Sequence, residues 1–269
     1  MKLGVIKHHL KTFYTFIKFS YIKQMTYRFN FWFGYLIDIS WLAFMFVFFK
    51  IFYLNVTDIA GWNYWHILVL LGTYQVYTAF IYGIVIIFNM RNIPKIIWNG
   101  ELDMFLLKPI NSQFHVSARE IWFPQFLNLI PSILLIYMGF QGGGISFNLI
   151  NLVFYLIAVF SGILIVYAIW FMITCLTFFL EKAEDLPYVP QSFIDYIIEF
   201  PIDLFKGRGG FILTWIIPLA FAASFPARIL MGSLSKIYAV YGVILAIIFI
   251  YLSNKFWKFC LKHYSSASS

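Results

Sequence analysis

The stretch NGELDMFLLKPIN, residues 99–111, lies between two long hydrophobic blocks, yet it carries Glu101, Asp103 and Lys108 among Leu102, Phe105, Leu106 and Leu107. Each flanking block reaches the ~20 residues that a helix needs to cross a bilayer core. A charged, helix-forming segment between two such blocks is one that leaves the lipid. Its placement therefore sets the topology of everything around it.

The composition fits that reading. Of 269 residues, 62% are hydrophobic and 11% charged, against about 45–50% apolar and about 25% charged in soluble domains. A soluble chain of this length has no interior large enough for that apolar surface, so the solvent is lipid. No long polar stretch marks a separate soluble domain, and residues 1–269 read as one transmembrane domain. The formal net charge of +8 comes from Lys and Arg at the ends of apolar runs. That placement points to anionic lipid and topology and gives no nucleic-acid surface. Cys175 and Cys260 stand far apart and read as free thiols.

Six apolar runs are long enough to cross: roughly residues 31–54, 62–88, 121–140, 149–180, 211–230 and 237–256. Backbone groups find no partners in lipid and these runs do not alternate, so they read as helices rather than barrel strands. The expected fold is an all-α membrane protein of six transmembrane helices. The positive-inside rule gives the orientation. Lys50, Arg228 and Lys236 are the only cations left for one side, so both termini are expected in the cytoplasm of a multi-pass protein of the plasma (inner) membrane. Gly142, Gly143 and Gly144 read as a flexible outer turn.

Three segments lie outside the runs. In residues 1–28, Ile6, Leu10, Phe13 and Ile17 share one helical face with Lys7, Lys11 and Lys18 beside it, the pattern of an interfacial amphipathic helix at anionic headgroups. Residues 90–119 read as a cytoplasmic segment in which Asn92 caps a short helix with Pro94 in its first turn and Trp98 near its end. Gly100 ends that helix. A second short helix follows over residues 101–107, its acids in the positive first turn, with Leu102, Phe105 and Leu106 on one apolar face. Pro109 forces an extended exit. Such an object fits a groove on another protein. Residues 181–210, rich in acids and broken by Pro187, Pro190 and Pro201, read as a cytoplasmic linker.

Residues 100–110, GELDMFLLKPI, resemble the G-x-L-[DE]-x-L-L-x-x-P pattern that type-2 ABC exporter permeases carry after their second span. Residues 211–227, FILTWIIPLAFAASFPA, resemble the fifth-span region of one subgroup. Trp98-Asn99 departs from the charged residues that many members have before the glycine. The resemblance implies a permease subunit in which residues 100–108 form the coupling helix, seated in a cleft of a separate P-loop ATPase that holds the ATP and Mg. It also implies a second permease, identical or paralogous, and export of an amphipathic or lipophilic cargo.

No P-loop pattern occurs in this chain, so ATP hydrolysis is expected on the partner and no cofactor here. His8, His9, His66, His115 and His263 show no metal spacing, and no catalytic cluster is evident. Within the runs, Asp38, Gln75 and Asn128 are the notable polar residues, with Gln125 beside them. Gln75, Gln125 and Asn128 suit interhelical hydrogen bonds, and Asp38 suits either a pairing with Arg28 or an ionisable site. Pro131, Pro218 and Pro226 are hinge candidates. The rival to an ABC permease is an ATP-independent channel or proton-coupled carrier built on Asp38.

Overall fold

The computed structural model describes the backbone of residues 2–180 and 184–264, and side chains from residue 11 onward except Ser192. The described chain is helical. Helix α1 (Lys2–Thr26) precedes α2 (Arg28–Phe52). Helix α3 (Tyr64–Phe80) is opened by Asn63, whose side chain accepts from the His66 amide at 2.9 Å, a cap worth about 1 kcal/mol. Nearly every side of α3 is buried. A helix apolar all round belongs in the middle of a bundle, and α2, α8 and α9 pack about it.

Among the described residues, five helices are long and apolar enough to cross a bilayer: Arg28–Phe52, Tyr64–Trp98, Pro124–Gly143, Leu149–Phe178 and Ile237–Leu261. The second contains α3, a π-turn over Ile81–Ile86, a 3-10 turn over Met90–Asn92 and α4 (Ile93–Trp98). The third joins α7 (Pro124–Leu127) to α8 (Leu129–Gly143). Pro131 has no N–H to give to the carbonyl four residues back, which is why the helix is interrupted there and restarts. The fourth begins at α9 (Leu149–Cys175), capped by Asn148, and the fifth is α13 (Ile237–Leu261).

Helices α3 and α8 meet backbone to backbone. A Cβ on Gly72 would stand 2.8 Å from the Ser132 carbonyl, and one on Gly139 2.7 Å from the Trp65 carbonyl. Ser132 Oγ donates to the Gly72 carbonyl at 2.7 Å. Small residues that admit close approach, with a hydroxyl bridging the helices, are the usual cement where hydrophobic driving force is absent. The glycines after them are not a loose turn: Gly142 lies under the Trp65 ring, and Gly144, at φ 61°, caps α8 in the left-handed conformation.

The expected fifth span, residues 211–230, is not one helix. Helix α11 (Gly207–Phe211) runs into a π-turn over Ile212–Ile216, and Ile217 (φ −118°, ψ 77°) then leaves helical geometry ahead of Pro218. Residues 218–223 turn inward until the Phe221 carbonyl meets Gly162, part-way along α9. Helix α12 (Ser224–Leu230), with Pro226 buried in its first turn, climbs back to Gly232 beside Asn151.

Residues 184–210 also depart from the expected linker, whose residues 181–183 lie outside the described set. Residues 186–204 thread along α3. Arg91 donates to Gln191 at 2.6 Å, the Tyr82 hydroxyl donates to Asp195, Trp41 Nε1 donates to Glu199 at 2.8 Å, and Trp62 Nε1 donates to Asp203 at 2.8 Å. The path thus runs from the end of the bundle that holds Arg91, Lys95, Lys108 and Arg119, here the basic end, to the opposite end at Trp62. Ile194, Ile198 and Ile202 are buried along it. Helix α10 (Tyr196–Glu199) forms its centre, between a π-turn and a 3-10 turn. Lys206 and Arg208 therefore leave from the Trp62 end, where Arg228 pairs with Asp203 at 2.8 Å.

Candidate functional site

At the basic end, residues 90–119 fold into three short helices. Pro94 occupies the first turn of α4, and Trp98 closes it, half-buried. Asn92 does not cap this helix; its amide donates back to the Phe88 carbonyl at 2.7 Å. Gly100 adopts φ 72°, the left-handed conformation that glycine takes at lowest cost. Helix α5 (Leu102–Leu106) follows, then α6 (Ser112–Ala118), whose Asn111 cap accepts from the Phe114 amide. Pro109 lies exposed in the bend between them.

The apolar face of α5 is divided. Leu102 is 1% exposed and Phe105 8%, both turned into the molecule, whereas Met104 is 69% exposed, Leu107 86%, and Leu106 intermediate between the pairs. The expected outward face of Leu102, Phe105 and Leu106 is thus corrected at two positions: Leu102 and Phe105 anchor the helix, while Leu106 is exposed with Met104 and Leu107. Glu101 and Lys108 are exposed at its two ends, and the Asp103 carboxylate faces the Tyr264 hydroxyl beyond α13.

Helix α6 is the hub. Gln113 Nε2 donates to Tyr167 of α9 and to Ser253 of α13, each at 3.0 Å, and Asn254 donates to Gln113 Oε1 at 3.0 Å. Trp257 Nε1 donates to Ser112 Oγ at 3.0 Å. Helix α1 is strapped across the same place: Phe16 stacks on His115, Phe13 meets Phe114, Lys23 pairs with Glu120, and Gln24 bonds both the Ile121 carbonyl and the Phe123 amide. The expected amphipathic face includes Phe13 and Ile17, both half-buried; Ile6, Lys7 and Leu10 lie outside the described side chains. The π-turn joins this hub to α3. Its Gly83 carbonyl accepts from the Trp122 amide at 2.6 Å, and Asn89 bridges the Ile84 and Glu120 carbonyls. Such π-turns release backbone groups for tertiary bonds, often near functional sites.

His115 sits between the Phe16 and Phe105 rings, with Arg119 over Phe105. Desolvation foremost, then Lys108 and Arg119, push its pKa from 6.5 down to about 4. The unfolded ring takes up a proton below 6.5, whereas the native ring refuses it until about 4. The stability owed to the neutral ring is full above the first value and is lost as pH falls toward the second. Protection factors over residues 99–118, taken against the intrinsic exchange rate at each pH, are expected to fall across that window, and His115→Gln to flatten the response. An unchanged pH response in His115→Gln would refute this.

Deeper in the bundle, the intramembrane polar residues converge. Asp38 does not pair with Arg28; it accepts from Gln125 at 2.8 Å, with Asn128 at the same carboxylate. Asn128 donates to Gln125 at 3.2 Å, and the Gln75 amide oxygen accepts from Thr78 at 3.1 Å. These residues line a cavity of about 380 Å³, together with Asp195 and Glu199 from the 186–204 thread. Sequence reading missed both acids. Their spacing with Asp203, four residues apart each time, was the signal available, although the chain leaves helical geometry at Phe200 and the three acids do not share one helix.

The family model described as ABC-2 family transporter protein matches residues 39–268. The chain belongs to the ABC-2 family. No curated protein and no solved structure matches it. As an ABC-2 type permease it is a multi-pass membrane component of a transporter, of a family that generally associates with an ABC ATPase and is generally not itself catalytic. In this ABC-2 chain the match begins beside Asp38, so nearly all of the cavity and all of residues 90–119 fall within it.

Proposed function

We propose that this permease is the membrane subunit of an ATP-driven exporter in the plasma (inner) membrane, with both termini and the basic end in the cytoplasm. Residues 1–269 act as one domain in which residues 1–28 lie at the inner leaflet and residues 90–119 take up the stroke of the partner. The 186–204 thread completes a sixth crossing, and residues 207–232 form a hairpin entering from the outer side. This assignment keeps Arg91, Lys95, Lys108, Arg119, Lys255, Lys258 and Lys262 inside.

Two P-loop ATPases dock on α5 of two permeases, identical or paralogous. Met104 and Leu107 fill the ATPase cleft, Glu101 and Lys108 line its rim, and Gly100 and Pro109 bracket the helix. The observation that carries the reading is the divided α5: one face bonded into the bundle, the other bare and apolar at the basic end. Pro131, Pro218 and Pro226 adjoin the helix interruptions where the bundle can flex.

The test is co-purification of the chain with a P-loop ATPase, followed by reconstitution of the pair into liposomes. Transport that requires ATP supports the proposal. Transport that proceeds unchanged without ATP would sink it in favour of an ion-driven channel or carrier.

A further inference from the structure

Three carboxylates face the 380 Å³ cavity between α2, α3, α7 and the 186–204 thread: Asp38, Asp195 and Glu199. Asp195 is 9% exposed and Glu199 2%. Asp195 is half-satisfied: the Tyr82 hydroxyl donates to Oδ2, while Oδ1 is buried with no hydrogen-bond partner. Glu199 accepts from Trp41 Nε1 at Oε1, with the Tyr74 hydroxyl also at its carboxylate. Neither acid has an ion-pair partner among the described residues; the ion pairs there join Lys23 to Glu120 and Arg228 to Asp203. Arg91, which hydrogen-bonds Gln191 and lies over Tyr188, acts on Asp195 electrostatically without forming an ion pair with it. A buried acceptor left unpaired costs free energy that a donor from a ligand would recover.

The walls select the ligand further. Trp41, Tyr74, Tyr82 and Tyr196 line the cavity, and aromatic faces attract cations, most strongly where water is excluded. A metal ion fits poorly, because no three potential metal-ligand side chains cluster among the described residues. Next to the cavity and sharing Ile37 and Trp41, an apolar groove of about 390 Å³ runs along the outer face of α2 past Leu36 and Phe44. Polar acceptors and aromatic walls thus lie on one side of Ile37 and Trp41, and an apolar groove on the other.

We propose that this site binds a cationic amphiphile: a primary ammonium or guanidinium head donates to Asp195 and Glu199, with Asp38 opposite, and an apolar tail lies in the α2 groove. The inference rests on the transporter reading, since it names the class of cargo. Binding is measured without ATP or ATPase, so its failure is separable from a failure of coupling.

The full-length chain in nanodiscs of zwitterionic lipid is titrated with radiolabelled dodecylguanidine, with dodecylamine and dodecanol as competitors. Saturable binding displaced by the amine and not by the alcohol is expected. Glu199→Gln and Asp195→Asn, near-isosteric changes, are each expected to weaken binding about tenfold, the loss of one charge-assisted hydrogen bond. Should either variant misfold, Asp38→Asn at a less buried carboxylate decides, with weaker binding again expected. Equal competition by dodecanol, purely non-saturable uptake, or wild-type affinity in the folded variants would overturn the proposal.

Discussion

Met104→Asp with Leu107→Asp is expected to leave the chain folded and inserted while abolishing ATP-dependent transport. Both side chains are more than two-thirds exposed at 69% and 86%, so the folded chain loses little. In the proposed assembly they would be the apolar anchors, and two such anchors at about 1.5 kcal/mol each correspond to about a hundredfold in affinity for the ATPase. Leu102→Asp makes the contrast. It places a charge at a buried position, so its damage is expected in yield and thermal stability rather than in docking alone. Pull-down of the ATPase and ATP-driven uptake into vesicles separate the two. If the double variant still captured its ATPase and transported, α5 would not be the contact.

Gly162→Ala is expected to destabilise the fold severely, well beyond the effect of Gly144→Ala. Its Cβ would collide with the Phe221 carbonyl oxygen and lie 2.8 Å from the Ala222 Cα, both backbone atoms that cannot swing aside. Overpacking a tight contact costs about 1–3 kcal/mol even when the neighbours are side chains, and at Gly162 the whole 218–223 turn must move off α9. Gly144→Ala adds a methyl that meets nothing within 4 Å, leaving only the left-handed conformation to disfavour it, by about 1–2 kcal/mol. Denaturation in micelles should rank the two, and limited proteolysis near Ile217–Pro218 should rise in Gly162→Ala alone. Equal melting of the two variants would contradict the close contact.

The five helices long enough to cross a bilayer were readable because each is a long apolar run, and lipid leaves such a run no backbone partners outside a helix. The 186–204 thread was not, for a physical reason. Its acids and prolines carry the composition of a solvated linker, and only α3 and its neighbours supply the Tyr and Trp donors that let Asp195, Glu199 and Asp203 enter the bundle. Composition reports what a side chain is, not which distant group will satisfy it. The 211–230 stretch erred in the opposite direction: greasy enough to span, but stopped at Ile217–Pro218, where the chain leaves helical geometry. In α5 the positions of the short helix and of Gly100 were legible. Two apolar pairs at equivalent spacing, Leu102 with Phe105 and Met104 with Leu107, could each have faced inward. The tilted contact of Phe105 with His115 goes with the inward pair, and no local pattern encodes it. Asp38, Gln125 and Asn128 were individually conspicuous, but their meeting with Glu199 required the thread to be in place.

Gln113 is bonded at once to Tyr167, Ser253 and Asn254. In mechanical terms α6 is then a bell-crank: under the coupling proposed above, a displacement received at α5 would reach α9 and α13 together. Gln113→Leu would remove the three Gln113 bonds, leaving Ser112 to hold α13 through Trp257 and Ser117 to hold α9 through Tyr167, so the linkage is expected to slacken rather than part.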